Sequence, residues 1–220
     1  MSKRNIILVF IFSAFISAGA GAAELWNGFT TDMNRDQVIA RARTALGTGE
    51  FSEIVLDDYF PSRRITVFYG NSDRANLNNQ FPVMESGLKF KSPLAQYNQR
   101  WDNNINFYFY NGRLFGVRVE FTASDNDFIP LARNQYGTPS QTIVETNRGT
   151  PGNSYNSPFQ RTWYVWRTSE KTVYVPGPIS GSPNVGRLHI FSTQVIVNFQ
   201  NEREEADAQR RAETTSGIQF

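Results

Sequence analysis

The stretch FYFYNGRLFGVRVEF, residues 107–121, reads as two strands around Asn111-Gly112, with large side chains on both sides of each strand. A two-residue turn at Asn111-Gly112 sets Tyr110 opposite Arg113, Phe107 opposite Gly116 and Ile105 opposite Arg118, mixing apolar and charged side chains on each face. A three-residue loop, Tyr110-Asn111-Gly112 with Gly112 left-handed in a bulge, instead pairs Phe109 with Arg113, Phe107 with Phe115 and Ile105 with Val117. Asn103 then meets Val119 and Trp101 meets Phe121. This register gathers the large apolar residues on one face, and a slip of one residue would reverse them all. Each buried member contributes about 1.5–3 kcal/mol, so the hydrophobic pattern predicts the three-residue loop.

The opposite face then carries Asn104, Asn106, Tyr108, Tyr110, Leu114, Gly116, Arg118 and Glu120. Tyr and Arg beside amide side chains compose a recognition surface, because they combine large contact area with directed hydrogen bonds. Tyr108, Tyr110, Arg118 and Asn106 are its candidate binding residues. The competing reading is a half-solvated sheet face, or one covered by a helix, since Tyr is common on strands for propensity alone.

Upstream, MNRDQVIARARTALG begins with a capping box, Asn34 with Gln37, and places Val38, Ile39, Ala42 and Leu46 on one helical face before Gly47 ends it. Downstream, DFIPLARNQYGTP fits a second helix with Asp127 as N-cap and Pro130 in the first turn, where a missing N–H is harmless. Each helix leads into short β-rich runs. FSEIVLDDYF and RRITVFYG follow the first, and SQTIVET and RTWYVWRTSEKTVYVPG follow the second. RLHIF and QVIVNF read as a last strand pair joined at Ser192-Thr193. Residues 71–100 and 146–160, rich in Asn, Gln, Ser, Gly and Pro, read as long surface loops.

The order helix, strands, helix, strands predicts an α+β fold: an antiparallel sheet with helices packed on one face. It forms one domain over residues 24–200, or two tandem halves, 24–122 and 123–200, with no strict residue-level repeat between them. Residues 201–220, highly charged, form a solvated helix or a frayed tail.

Lys3 and Arg4, the apolar run from Ile6 to Ile16 and the small residues from Ala18 to Ala23 have the layout of a secretory signal peptide over residues 1–23. Cleavage is expected after Ala20, Ala22 or Ala23. The run is shorter than the ~20 residues a membrane-spanning helix needs, and no Cys follows it to carry a lipid, so the mature chain is expected to be soluble, without a stable membrane anchor. Periplasmic residence is the expectation; full secretion begins with the same signal. With 0 Cys the fold must rest on its hydrophobic core, for which 40% hydrophobic and 14% aromatic residues suffice. Of 22 Lys and Arg, Lys3 and Arg4 leave with the leader, and the remaining 20 equal the 20 Asp and Glu. No general attraction to nucleic acid or anionic lipid follows from that balance.

His189 is the only histidine, sits in a strand-like run and lacks a GxSxG partner stretch, so it reads as structural. Asp57-Asp58 and Asp125-Asn126-Asp127 suit turns and caps better than an acid–base pair or a calcium loop, since Pro130 occupies the expected glycine position. No cofactor or metal is expected, and no catalytic constellation is recognisable. In RTWYVWR, Trp163, Tyr164 and Trp166 could stack on a sugar, although aromatics alternating along a strand more often face a core.

The segment LWNGFTTDMNRDQVIARARTALG, residues 25–47, resembles the opening of small envelope proteins of the BamE (SmpA/OmlA) type and the related β-lactamase-inhibitor-like fold. Met33, Asn34, Val38, Leu46 and Gly47 match that scheme; Asp32 replaces a Gly, Asn34 replaces the usual Thr or Ser, and the lipid-bearing Cys is missing. The resemblance implies noncatalytic work: docking onto, or inhibiting, another envelope protein through the open sheet face and its loops. The alternative is a cell-wall or carbohydrate binder, or a hydrolase, centred on Trp163 and Trp166.

Overall fold

The computed structural model describes residues 22–54, 81, 86–91, 104–121, 128–147, 159–177 and 186–216. Asn34 opens the first helix, α1 (Arg35–Leu46), by accepting from the Gln37 N–H at 3.0 Å, while the Gln37 side chain accepts from the Asn34 N–H at 2.8 Å. This capping box satisfies two otherwise unpaired donors. Val38 and Ala42 are buried, with Ile39 and Leu46 packed beside them, and Gly47 (φ 86°) ends the helix in a conformation that favours glycine. The second helix, α2 (Phe128–Tyr136), buries Phe128 and Ala132 and carries Pro130 in its first turn. Asp127, its expected cap, lies outside the described residues.

Among the described residues ten strands accompany these helices: β1 (Glu24–Trp26), β2 (Phe29–Thr30), β3 (Glu50–Glu53), β4 (Ser86–Lys91), β5 (Asn104–Tyr110), β6 (Arg113–Phe121), β7 (Gln141–Asn147), β8 (Phe159–Arg167), β9 (Lys171–Pro176) and β10 (Gly186–Ser192). β1 and β2 form a small hairpin. The other eight make one antiparallel sheet in the order β3-β4-β5-β6-β10-β9-β8-β7. The expected balanced α+β fold is therefore corrected: the described chain is mostly β, with helices as covering elements. The imbalance arises partly because GLKFK, inside the stretch read as a loop over 71–100, is strand β4, with Leu88 and Phe90 buried. Lys89 and Lys91 alternate with these two residues and disguise the strand as polar sequence.

A second correction concerns QVIVNF. Its β-branched residues suggested a strand, but Ser192 ends β10 and its Oγ accepts from the Val195 N–H at 3.3 Å, starting helix α3 (Thr193–Ser216). Ile196 is buried, with Val195 and Phe199 beside the same apolar cluster, a spacing that suits a helix face. The expectation of helices on one face fails with it. α1, α2 and the β1–β2 hairpin cover a face formed by residues such as Phe90, Phe107, Val117, Ile190 and Val173; α3 covers part of the other, over Tyr108, Phe115, Phe191 and Tyr174.

The opening stretch is corrected as well. Asn111 (φ 50°) and Gly112 (φ 68°) form a two-residue turn, with Tyr110 opposite Arg113 and Phe109 opposite Leu114. The register then shifts, so that Tyr108 faces Gly116, Phe107 faces Val117 and Ile105 faces Val119. One extra residue, Phe115, is accommodated as a β-bulge. The bulge lets a tight turn coexist with an unmixed apolar face, which neither regular register achieves. It also sends Leu114 into the first core and Phe115 into the second. Gly116 makes room there, since a Cβ would stand 2.4 Å from Phe191 Cδ1.

Each half of the large sheet is a helix followed by four antiparallel strands, α1-β3-β4-β5-β6 and α2-β7-β8-β9-β10, and the last strands of the halves pair at the centre. Residues 38–50 and 128–140 show the same succession of buried and exposed positions. Ile39, Ala42, Arg43, Gly47 and Thr48 recur as Ile129, Ala132, Arg133, Gly137 and Thr138. Both arginines also meet an aromatic ring, though from different strands: Arg43 lies over Phe51 of β3 at 6.0 Å, and Arg133 over Tyr164 of β8 at 5.8 Å. The residue-level repeat escaped the sequence because Val38 and Phe128, and Leu46 and Tyr136, share burial but differ in identity.

Candidate functional site

The second face of the sheet gathers most of the residues singled out in the sequence. Direct cross-strand pairs carry one row through Lys89, Asn106, Arg118, His189, Tyr174 and Val165. The next row holds Lys91, Asn104, Glu120 and Arg187. Glu120 joins two strands: Arg118 ion-pairs with it, and Arg187 Nε donates to its Oε1 at 2.9 Å. These three side chains are partly exposed. Beneath them His189 is fully buried, with neither ring nitrogen hydrogen-bonded among the described residues. Its pKa lies well below the ordinary value, first because burial excludes the charged form and then because Arg118, Arg187 and Arg161 repel a proton.

Farther along this face, Trp163 is fully buried and donates its indole N–H to Glu145 at 2.7 Å. Arg161 stands directly opposite Glu145, with its guanidinium 5.8 Å from the Trp163 ring centre. Neither indole is available as a stacking platform, since Trp166 is also buried, on the first face, with its N–H bonded to the Gly137 carbonyl at 2.9 Å. The structure thus brings Trp163, Asn106 and Arg118 to one face and leaves Trp166 on the other. Tyr108 is buried against Phe191, at 6.2 Å between ring centres.

Tyr110 is different. It sits half-buried at the edge of the second core, edge-on to Phe115 and to Phe199 of α3. Its hydroxyl points toward Glu202 Oε2, 3.4 Å away. There it lines an open groove of ≈ 680 Å³ at the end of the sheet. The β5–β6 turn contributes Tyr110, Asn111 and Arg113; the β8–β9 turn contributes Ser169 and Glu170; α3 contributes Gln194, Asn198 and Glu202. Ala22, Ala23 and Thr31 close the remaining side. Arg113 is held by the Asp32 carbonyl at 2.6 Å, and Gln194 donates to Asn198 Oδ1 at 2.7 Å. The volume is within the range of sites that enclose a small ligand or a short peptide segment.

Gln194 and Asn198 lay in an expected strand, Glu202 in the charged tail and Glu170 in a turn, and only the tertiary fold brings α3 and the β8–β9 turn to the Asn111 turn. Glu145, Arg161 and Arg187 had a readable signal. Glu145 stands two residues from Ile143, Arg161 two from Trp163 and Arg187 four from Phe191, even spacings that put each charge on the same face as a large apolar residue. Among the described residues, no group of three or more His, Cys, Asp or Glu side chains is placed to hold a metal, and no helix is long and apolar enough to cross a membrane. No family model, curated protein or solved structure matches the chain.

Proposed function

We propose that the chain is a noncatalytic docking module of the cell envelope that receives a segment of another envelope protein in the groove beside Tyr110. The observation that carries this reading is the groove itself: an open hollow built from two strand turns and the start of a long helix, lined by hydrogen-bonding side chains around one aromatic ring. Glu170 and Glu202 bring two carboxylates to this lining against the one guanidinium of Arg113, and Asn111 and Asn198 can donate or accept, so the segment it suits carries amide, hydroxyl or basic donors. Tyr110 supplies contact area at low entropic cost, as aromatic anchors do in interfaces. The resemblance of residues 25–47 to BamE-type proteins, and the export signal read in residues 1–23, support an envelope partner.

Asn198→Trp tests the reading, because Asn198 is exposed and a bulky ring there fills the groove without entering either core. Affinity purification from cross-linked envelopes is expected to recover a specific protein with the wild type and lose it with Asn198→Trp. Equal recovery with both would remove the groove from the account. Recovery of cell-wall glycan instead would transfer the site to the carbohydrate reading.

A further inference from the structure

The β1–β2 hairpin is fastened through its first residues. The Thr31 N–H donates to the Ala23 carbonyl at 3.0 Å, and the Ala23 N–H donates to Thr31 Oγ1 at 3.3 Å. Glu24 follows with two further ties: its carbonyl accepts from Lys171 Nζ at 3.1 Å, and its Oε1 accepts from the Gly28 N–H at 2.7 Å. Leu25 and Trp26 then enter the first core. The fold therefore uses the backbone from Ala23 onward, inside the small-residue stretch where the sequence offers three cleavage positions. A chain beginning at Glu24 would lose both the acceptor for the half-buried Thr31 N–H and the donor to Thr31 Oγ1, two of the bonds that close the hairpin. A chain beginning at Ala23 keeps both Thr31 contacts, its new ammonium replacing the amide donor.

We infer that leader removal occurs after Ala20 or Ala22 and leaves Ala23 in the mature protein, so that the cut after Ala22 sets the new α-ammonium group on Ala23, which lines the groove. Cleavage after Ala22 puts that cation on Ala23, in a groove whose other charged side chains are Arg113, Glu170 and Glu202. Processing thus completes the groove's charge pattern: two cations face two carboxylates, and the uncleaved precursor lacks one of the cations. The inference stands apart from the docking reading, since it concerns where the mature chain starts.

Intact-mass measurement and N-terminal sequencing of the full-length gene product, purified from the envelope fraction after export, test it. A first residue of Gly21 or Ala23 is expected. A chain starting at Glu24 or later, or one retaining its leader, overturns the inference. Reductive methylation with a carbon-13 label then reports on the ammonium, whose ordinary pKa is about 7.7–8.0. Neighbouring carboxylates should raise it above that range, and Glu170→Gln/Glu202→Gln should bring it back. An ordinary pKa in the wild type, unmoved by the double variant, overturns the placement in the groove.

Discussion

The Trp163 indole N–H donates to Glu145 at 2.7 Å across two neighbouring strands, and both side chains are sealed from solvent. A buried carboxylate is stabilised only by the donors that surround it. Glu145→Ala removes the charge and strands the indole N–H, and should cost roughly 3 kcal/mol. Glu145→Gln keeps an acceptor and should cost about 1 kcal/mol. Urea denaturation followed by tryptophan fluorescence separates the two. Equal losses would mean that the indole bond contributes nothing.

His189 makes stability depend on pH in one direction. The unfolded imidazole takes up a proton near pH 6.5, whereas the folded one resists it, because it is buried beneath Arg118, Arg187 and Arg161. Its contribution is therefore fully present above about pH 6.5 and declines as pH falls below that, by up to ~1.4 kcal/mol per pH unit. Chemical denaturation at pH 7.5, 6 and 5 should show this slope, and His189→Gln should flatten it. An unchanged slope in the variant would assign the effect to carboxylates.

Gly116 sits opposite Tyr108 at the bulge, and a Cβ there would lie 2.4 Å from Phe191 Cδ1. That ring cannot retreat easily, since Phe81 packs on it at 4.7 Å between ring centres. Gly116→Ala should therefore cost about 1–3 kcal/mol, measured by urea midpoint. Adding Phe191→Leu should cost less in the Gly116→Ala background than in the wild type.

Gly112 tests backbone conformation alone. Its φ is 68° and nothing approaches a Cβ within 4 Å. Gly112→Val should lose at least about 1–2 kcal/mol from left-handed strain, while Gly112→Asn should lose only a few tenths, because Asn tolerates that region. Similar losses from both would argue against a two-residue turn.

The elements most legible in the sequence are those fixed by local chemistry. The capping box at Asn34, the glycine stops at Gly47 and Gly137 and the hairpin at Asn111-Gly112 all depend on neighbours within a few residues. The bulge at Phe115 was not legible, because it reconciles a turn preference with packing against Phe191, which is remote in sequence. α3 was misread because Val195, Ile196 and Val197 carry strand propensity, and the Ser192 cap that overrides it is a single hydrogen bond. Of the expected surface, Tyr108 went into a core for a related reason: one hairpin's alternation cannot show that a helix from the chain's end covers it. Tyr110, one alternation farther along, stays at the margin where that helix meets the turn.

The docking reading is tested most directly by site-specific photo-cross-linking in the intact envelope, with the reactive residue placed in turn at Asn198, at Asn111 and at Val144. The first two line the groove, while Val144 is 42% exposed on the outer edge strand β7. The account predicts the same protein adduct at Asn198 and Asn111 and none at Val144. An adduct confined to Val144, or no protein adduct from the groove positions, would contradict it.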